Sequence, residues 1–421
     1  MRRTWPWCDL ARDRSPGLSE SDERTLSYDP RADHFFNLKH RCARRAVLAA
    51  IASLPVLPVG RPAAAEPLFA TRFPPLDVSA IPFLNAAGRA LYERFLAANL
   101  PRAFAIASSG AVGWAGAAAS IEEARAIALR NCAAAGGREC ALYAEDLAVV
   151  WPGRRWAPPP VPPPFFADWN SAFVPDDRYL WHGPGASSGV YVWAHGVGGG
   201  DNRGLQPQPH VRLFNNIGFD VIRFDRCPSA DETERAAGWL RDGLVGLRQI
   251  GWRRVIVGGQ SRGAWNALQM MDTPGLADVI VAISPAAQGE GGSPFMSTQT
   301  DELRRIVDGV ETASASRLGF VQFEGDTYIG DPDRRRELIE QLRPRLARLM
   351  VIDRPVGFSG HFAGGQARFA EIYGPALLGL ALPAGPLRTA DRRVMSGKVM
   401  PGGTGGMGSS LDAASPPQPP L

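Results

Sequence analysis

Cysteine is scarce in this chain of 421 residues. There are five, none in a Cys-x-x-Cys pair and none accompanied by a histidine cluster. The usual zinc-ligand spacings are therefore absent, and neither a metal nor any other cofactor is expected. Long apolar runs are also missing. None reaches the ~20 residues of a membrane-spanning helix, so no integral span is expected once the leader described below is removed. Excess charge is confined to one end. Residues 1–65 hold 11 basic and 7 acidic side chains, and the rest of the chain holds 35 of each. A neutral body offers no electrostatic footprint for nucleic acid. What remains is an ordinary globular composition, 45% hydrophobic and 21% charged, with 46 Gly and 37 Pro gathered in a few segments.

The N-terminal segment has the order of an export signal. Residues 1–36 are polar without clear period. Lys39, Arg41, Arg44 and Arg45 precede the apolar stretch Ala46–Val59, and the small-residue site Pro62-Ala-Ala-Ala-Glu66 closes it. A basic region, a short apolar core and a small-residue cleavage site define a secretory signal. Residues 1–65 are thus read as a leader, cleaved after Ala65, and the mature protein is expected in the periplasm or outside a bacterial cell. Export alters the meaning of the cysteines. Cys8 and Cys42 leave with the leader, and an oxidising compartment favours a disulfide between the close pair Cys132 and Cys140.

Residues 66–150 read as a small α+β domain. Strand-like text at Ala103–Ala107 and Gly110–Ala115 is followed by Ser120, which caps a helix running to Cys132. Cys140–Val150 reads as a strand pair. The serine-capped, Ala-rich helix ending in Cys, with a second Cys before ALYAEDLAVVW, resembles a small secreted bacterial domain of unknown function. That resemblance implies no chemistry; contact with envelope material is one expectation for this domain, and packing on the main domain is the other. Residues 151–168, with PPPVPPP at Pro158–Pro164, read as a stiff linker. From residue 169 to 382 apolar strands alternate with amphipathic helices, which predicts a mostly parallel sheet flanked by helices. Residues 383–421, rich in Gly, Pro and Ser, read as a disordered tail.

Within the alternating region Val255–Gly263, VIVGGQSRG, joins an apolar strand to a helix through Gly259-Gln-Ser261-Arg-Gly263. Glycine two before and two after a serine suits a turn so tight that side chains would collide, leaving the hydroxyl clear of the sheet. A serine hydroxyl needs a base. His361 lies in the Gly-rich loop Gly357–Gly365, after the final strand, and is the candidate. The strand Leu318–Phe323 ends in Glu324-Gly-Asp326-Thr-Tyr-Ile-Gly-Asp331. Asp326 is the chosen acid, with Asp331 and then Glu324 as alternatives. His195 opens His-Gly-Val-Gly-Gly-Gly after the first strong strand. So many glycines free backbone N–H groups for an oxyanion, assigned here to Val197 (or Gly198) and to Arg262 beside the serine. His195 is read as orienting that loop. A phosphate cradle is the competing reading, but the loop lacks both Gly-Lys-Ser/Thr and the dinucleotide spacing.

The order Ser261, Asp326, His361, with HGVGGG upstream, resembles the α/β-hydrolase superfamily over about residues 185–381. The resemblance implies a sheet of about eight strands and acyl transfer through a covalent acyl-enzyme. Arg262, beside the serine, departs from the smaller or apolar residue often found there; it would bind an acidic substrate group or form a salt bridge. Ala286–Thr300 is the candidate for a small cap. The function expected is a secreted serine hydrolase acting on a small-molecule or acyl ester. The alternatives are a peptidase or thioesterase on the same fold, or a non-catalytic envelope-binding protein.

Overall fold

In a computed structural model of the chain, the described residues are 73–197, 201–228, 231–287, 296–311 and 314–382. The leader, the tail, Gly198 and most of the candidate cap lie outside them. The described residues group as one compact unit.

The N-terminal part of this unit starts with α1 (Ala86–Ala97), whose first turn is capped by Asn85 Oδ1 accepting the Gly88 N–H at 2.8 Å. Strands β1 (Ala103–Ile106), β2 (Val112–Ala115), β3 (Ala141–Glu145) and β4 (Ala148–Val149) form an antiparallel sheet in the order β2-β1-β3-β4. Helix α2 (Ile121–Ala134) begins at Ser120, whose Oγ accepts from the Glu123 N–H at 3.1 Å. Its Ala124, Ala128 and Cys132 pack on Ala103, Ala105 and Ala115. Gly113 permits this close approach, since a Cβ there would stand 2.2 Å from the Cys132 nitrogen. A disulfide joins Cys132 to Cys140 across a Cα separation of 6.2 Å. Arg102 is buried, and its Nη1 donates to the carbonyls of Phe95, Leu96 and Ala98 at the end of α1, where Phe95 O also accepts the Ala98 N–H at 3.1 Å.

The larger sheet has seven strands among the described residues, against the eight or so implied by resemblance. They are β5 (Ser171–Pro175), β6 (Gly189–Ala194), β7 (Phe219–Arg226), β8 (Val255–Gln260), β9 (Val279–Ile283), β10 (Ser314–Gln322) and β11 (Leu346–Asp353). The order is β11-β10-β9-β8-β6-β7-β5, and only the edge strand β5 runs antiparallel. β6, β8 and β9 are buried along their whole length, as their unbroken apolar text requires of central parallel strands covered on both faces. Side chains alternate between two cores. Val190 and Val192 join the layer of α4 (Thr233–Ile250) and α5 (Arg262–Gln269). Tyr191 and Trp193 face α3 (His210–Asn216) and α8 (Ala367–Ala381). α4 buries Ala236, Leu240, Leu244 and Leu247, the i, i+4 stripe of an amphipathic helix, and ends at Gly251 with φ 127°. α6 (Met296–Asp308) and α7 (Pro332–Glu340) complete the layer. α7 ends at Glu340. Pro344 cannot continue it, and the chain turns and enters β11 at Leu346.

Helix α1 and the residues after it are tied to α3 and the loop before it by direct contacts. Asn216 Nδ2 donates to Leu96 O at 2.9 Å, and Asn99 Nδ2 donates to Pro207 O at 3.2 Å. The proline-rich stretch between the two sheets has neither helix nor strand, and Phe165 then pairs with Phe173.

His210, at the start of α3, is buried between Tyr191 and Trp193, with Tyr191 Oη 3.1 Å from its Nε2. Burial disfavours its charged form and pushes its pKa down to about 3. Between that value and the ordinary imidazole range the unfolded chain binds a proton that the folded chain does not. Stability therefore falls as pH drops through that window. Going from pH 6.5 to 4.5 is expected to cost on the order of 2–3 kcal/mol from this residue. Urea unfolding of wild type and His210→Gln at both pH values checks this; an equal loss in the two proteins would contradict it.

Candidate active site

Strand β8 ends at Gln260 and α5 begins at Arg262, so Ser261 alone makes the turn. Its φ of 57° and ψ of −125° place a non-glycine residue in the left-handed region, a conformation that costs about 1–3 kcal/mol. The surroundings enforce it. The Ser261 N–H donates to Ile283 O at 3.1 Å, and Ser261 O accepts from the N–H groups of Trp265 at 3.0 Å and Ala286 at 3.2 Å. Both flanking glycines are sterically required. A Cβ on Gly259 would lie 2.5 Å from the Gly263 carbonyl carbon, and one on Gly263 only 2.0 Å from Ala194 O.

Asp326 and His361 sit in loops at the carboxyl ends of β10 and β11. His361 Nδ1 lies 2.9 Å from each Asp326 oxygen, and Asp326 Oδ1 also accepts the Tyr328 N–H at 2.9 Å. Both side chains are buried. The loops are laced together, since the Gly360 N–H and Ser359 Oγ donate to Glu324 O at 2.8 and 3.0 Å. The histidine loop is tied to the serine turn in turn, because Gln260 Nε2 donates to His361 O at 3.2 Å. The Tyr328 ring covers the imidazole at 4.3 Å between centroids. His361 Nε2 is buried and has no hydrogen-bond partner. The alternative acids Glu324 and Asp331 are exposed, and Asp331 starts α7 in a left-handed conformation without a side-chain cap bond.

His195 is buried at the end of β6. Burial, and then the Arg226 guanidinium, drive its pKa well below the ordinary range, so the ring is neutral. Its tautomer follows from its partners. The Arg226 N–H donates to Nε2 at 3.2 Å, so the ring proton is on Nδ1, which donates to Gly196 O at 2.7 Å. Val197 follows, 48% exposed. The Arg262 N–H, in the first turn of α5, has no acceptor within the helix. The Arg262 side chain takes the salt-bridge course: Nη1 donates to Asp231 O at 2.8 Å and lies 3.9 Å from its carboxylate. A cavity of about 980 Å³ opens between α4, α5 and α6, with Arg262 and Trp265 on its wall. Ser261, Asp326 and His361 do not line it, and its charged groups pair locally, as Arg241 does with Asp272 at 2.8 Å.

Sequence reasoning missed three groups around these loops. Arg335 is buried, donates to Pro285 O and stands over the Trp265 ring. Burial brings its pKa down to about 10, opposed by the Asp326 charge. Arg226 is likewise buried, 3.0 Å from Asp231. Asn202 lies beside the His195 loop. A spacing pattern in a sequence signals none of these: Arg335 meets Pro285 and Arg226 meets His195 far along the chain, and Asn202 meets Gly196 within one irregular loop. Asp225, near the end of β7, pairs with Arg223 at 2.9 Å. Among the described residues no group of three or more His, Cys, Asp or Glu side chains could hold a metal ion. None of their helices is long and apolar enough to cross a membrane.

No family model and no curated protein matches the chain. Among solved structures it is similar to the Pyrococcus furiosus esterase Pf2001, at 15% identity and TM-score 0.36 over 50% of this chain and 85% of that one. It is also similar to Est1E from Butyrivibrio proteoclasticus, at 12% identity and TM-score 0.37 over 52% and 97%. A third is the Pyrococcus horikoshii acylaminoacyl peptidase, at 10% identity and TM-score 0.35 over 53% of this chain and 41% of that one.

Proposed function

We propose that the protein is an exported serine hydrolase that cleaves an ester through a covalent acyl-enzyme. The observation that carries this reading is the arrangement of His361. One ring nitrogen is bound to the buried Asp326 carboxylate, and the other is buried without a partner in a loop tied to the strained Ser261 turn. With Asp326 accepting from Nδ1–H, His361 Nε2 holds the lone pair. It takes the Ser261 hydroxyl proton as Oγ attacks the substrate carbonyl carbon. The carbonyl oxygen becomes an oxyanion facing the Val197 and Arg262 N–H groups. Collapse breaks the ester C–O bond, and His361 returns the proton to the departing alkoxide. Water repeats the sequence on the acyl-enzyme and frees Ser261. Export is supported by the leader and by the Cys132–Cys140 disulfide.

An alkyl fluorophosphonate tests the reading. The expected result is rapid, stoichiometric labelling of wild type and none of Ser261→Ala. Folded wild type that stays unlabelled would overturn it.

A further inference from the structure

The peptide that carries the Val197 N–H is clamped from its carbonyl side. Gly196 O accepts two hydrogen bonds, from His195 Nδ1–H at 2.7 Å and from Asn202 Nδ2 at 3.0 Å. A carbonyl has two lone pairs, so its accepting capacity is used up. The Gly196–Val197 bond is trans, since Leu100–Pro101 is the single cis bond among the described residues. In a planar trans peptide C=O and N–H point opposite ways. Turning the Gly196 carbonyl toward His195 and Asn202 therefore turns the Val197 N–H away from them. The peptide also borders the nucleophile, for a Cβ on Gly196 would stand 3.0 Å from Ser261 Cβ. One side of the clamp is itself held. The Arg226 N–H binds His195 Nε2, and Arg226 Nη2 donates to His195 O at 2.5 Å.

Glycine frees ψ on the Gly196 side of this peptide, while a full flip would also carry φ of Val197, a β-branched residue, to a positive value. A flip would aim a carbonyl oxygen, and its negative end, where an oxyanion must form. The two side-chain donors add to that preference and fix the tilt of the peptide, and with it the direction of the Val197 N–H.

We infer that Asn202 is a positioning residue for acyl transfer: through the Gly196 carbonyl it sets the direction of the Val197 N–H. The inference rests on the serine-hydrolase reading above. It assigns Asn202 no contact with substrate, so the loss of its amide should act on the transition state and spare ground-state binding. Asn202→Asp is the isosteric probe. An ionised carboxylate cannot donate to Gly196 O and repels it, whereas a protonated one can donate again.

The test is steady-state turnover of an activated ester by wild type, Asn202→Asp and Asn202→Ala, each first shown by circular dichroism and melting to be folded. At pH 8 both variants should lose about 10–100-fold in kcat, below the full effect of deleting an oxyanion donor, with KM within about twofold of wild type. The ratio of Asn202→Asp to wild type should rise several-fold between pH 8 and pH 5 as the new carboxyl takes up a proton. The Asn202→Ala ratio should stay flat. Wild-type kcat in Asn202→Asp at pH 8, or a loss in both variants with no pH rescue, overturns the positioning role. Failure of wild type itself to react with the fluorophosphonate overturns the hydrolase reading and this inference with it. The two failures are thus told apart by whether wild type is labelled.

Discussion

Asp326→Asn is expected to lower the turnover of an activated ester by about 10³–10⁴-fold, with little change in the fold. The reason is the tautomer. The Tyr328 N–H donates to Asp326 Oδ1 at 2.9 Å, so that position requires an acceptor. In the variant the amide oxygen turns to Tyr328 and the NH₂ group faces His361 Nδ1. That nitrogen must then carry the lone pair and Nε2 the proton, leaving no base for Ser261. Asp331→Asn is the matched control. Asp331 is exposed, and only its backbone carbonyl is engaged, accepting the Arg335 N–H at 3.1 Å. Its kcat should stay within about twofold of wild type, as expected for a surface change away from the chemistry. Rates for both variants decide the matter. If only Asp331→Asn slows the reaction, the acid has been misassigned.

The choice between these two aspartates marks how far sequence goes. Alternation of strands and helices, and the uninterrupted apolar text of Val190–Ala194 and Val255–Val257, suffice for a parallel sheet covered on both faces. They do not give strand order. β8 lies beside β6 and β9 with β7 outside β6, and only that order brings the ends of β8, β10 and β11 to one region. The serine turn was legible because its sterics are local: two glycines must flank Ser261 whatever surrounds it. The candidate histidine was legible from its place in a Gly-rich loop after the final strand. The acid was ambiguous because Glu324, Asp326 and Asp331 share one loop, and burial separates them only after folding. Arg226 and Asn202 were invisible for a related reason. Arg226 meets His195 from another strand, 31 residues away, and Asn202 meets Gly196 inside an irregular loop whose path no periodicity predicts. Arg262, by contrast, had two readings in the sequence, and its pairing with Asp231 is the salt bridge.

Gly263→Ala should be the most damaging change of a single methyl group at the serine turn. The added Cβ would meet Ala194 O at 2.0 Å, Ala194 C at 2.4 Å and His195 O at 2.6 Å. All three are backbone atoms of β6 or the residue after it, and no side chain can swing aside. Relief requires either lifting α5 off the sheet or displacing the end of β6. The first moves Ser261 and the Arg262 N–H; the second moves His195, Gly196 and the Val197 N–H. Overpacking of this kind is expected to cost about 3 kcal/mol or more. Displacement near 1 Å at the reacting centre is expected to lower turnover about 100-fold in whatever fraction still folds. Gly238→Ala on α4 supplies the contrast, because nothing lies within 4 Å of its added Cβ. There the same methyl group should leave activity intact and stabilise the helix by about 0.5–1 kcal/mol. Urea unfolding and fluorophosphonate labelling of the two variants measure both quantities. A Gly263→Ala protein as stable and as reactive as wild type would mean that the turn does not pack on β6 in this way. It would also remove the steric reason for glycine two residues after Ser261.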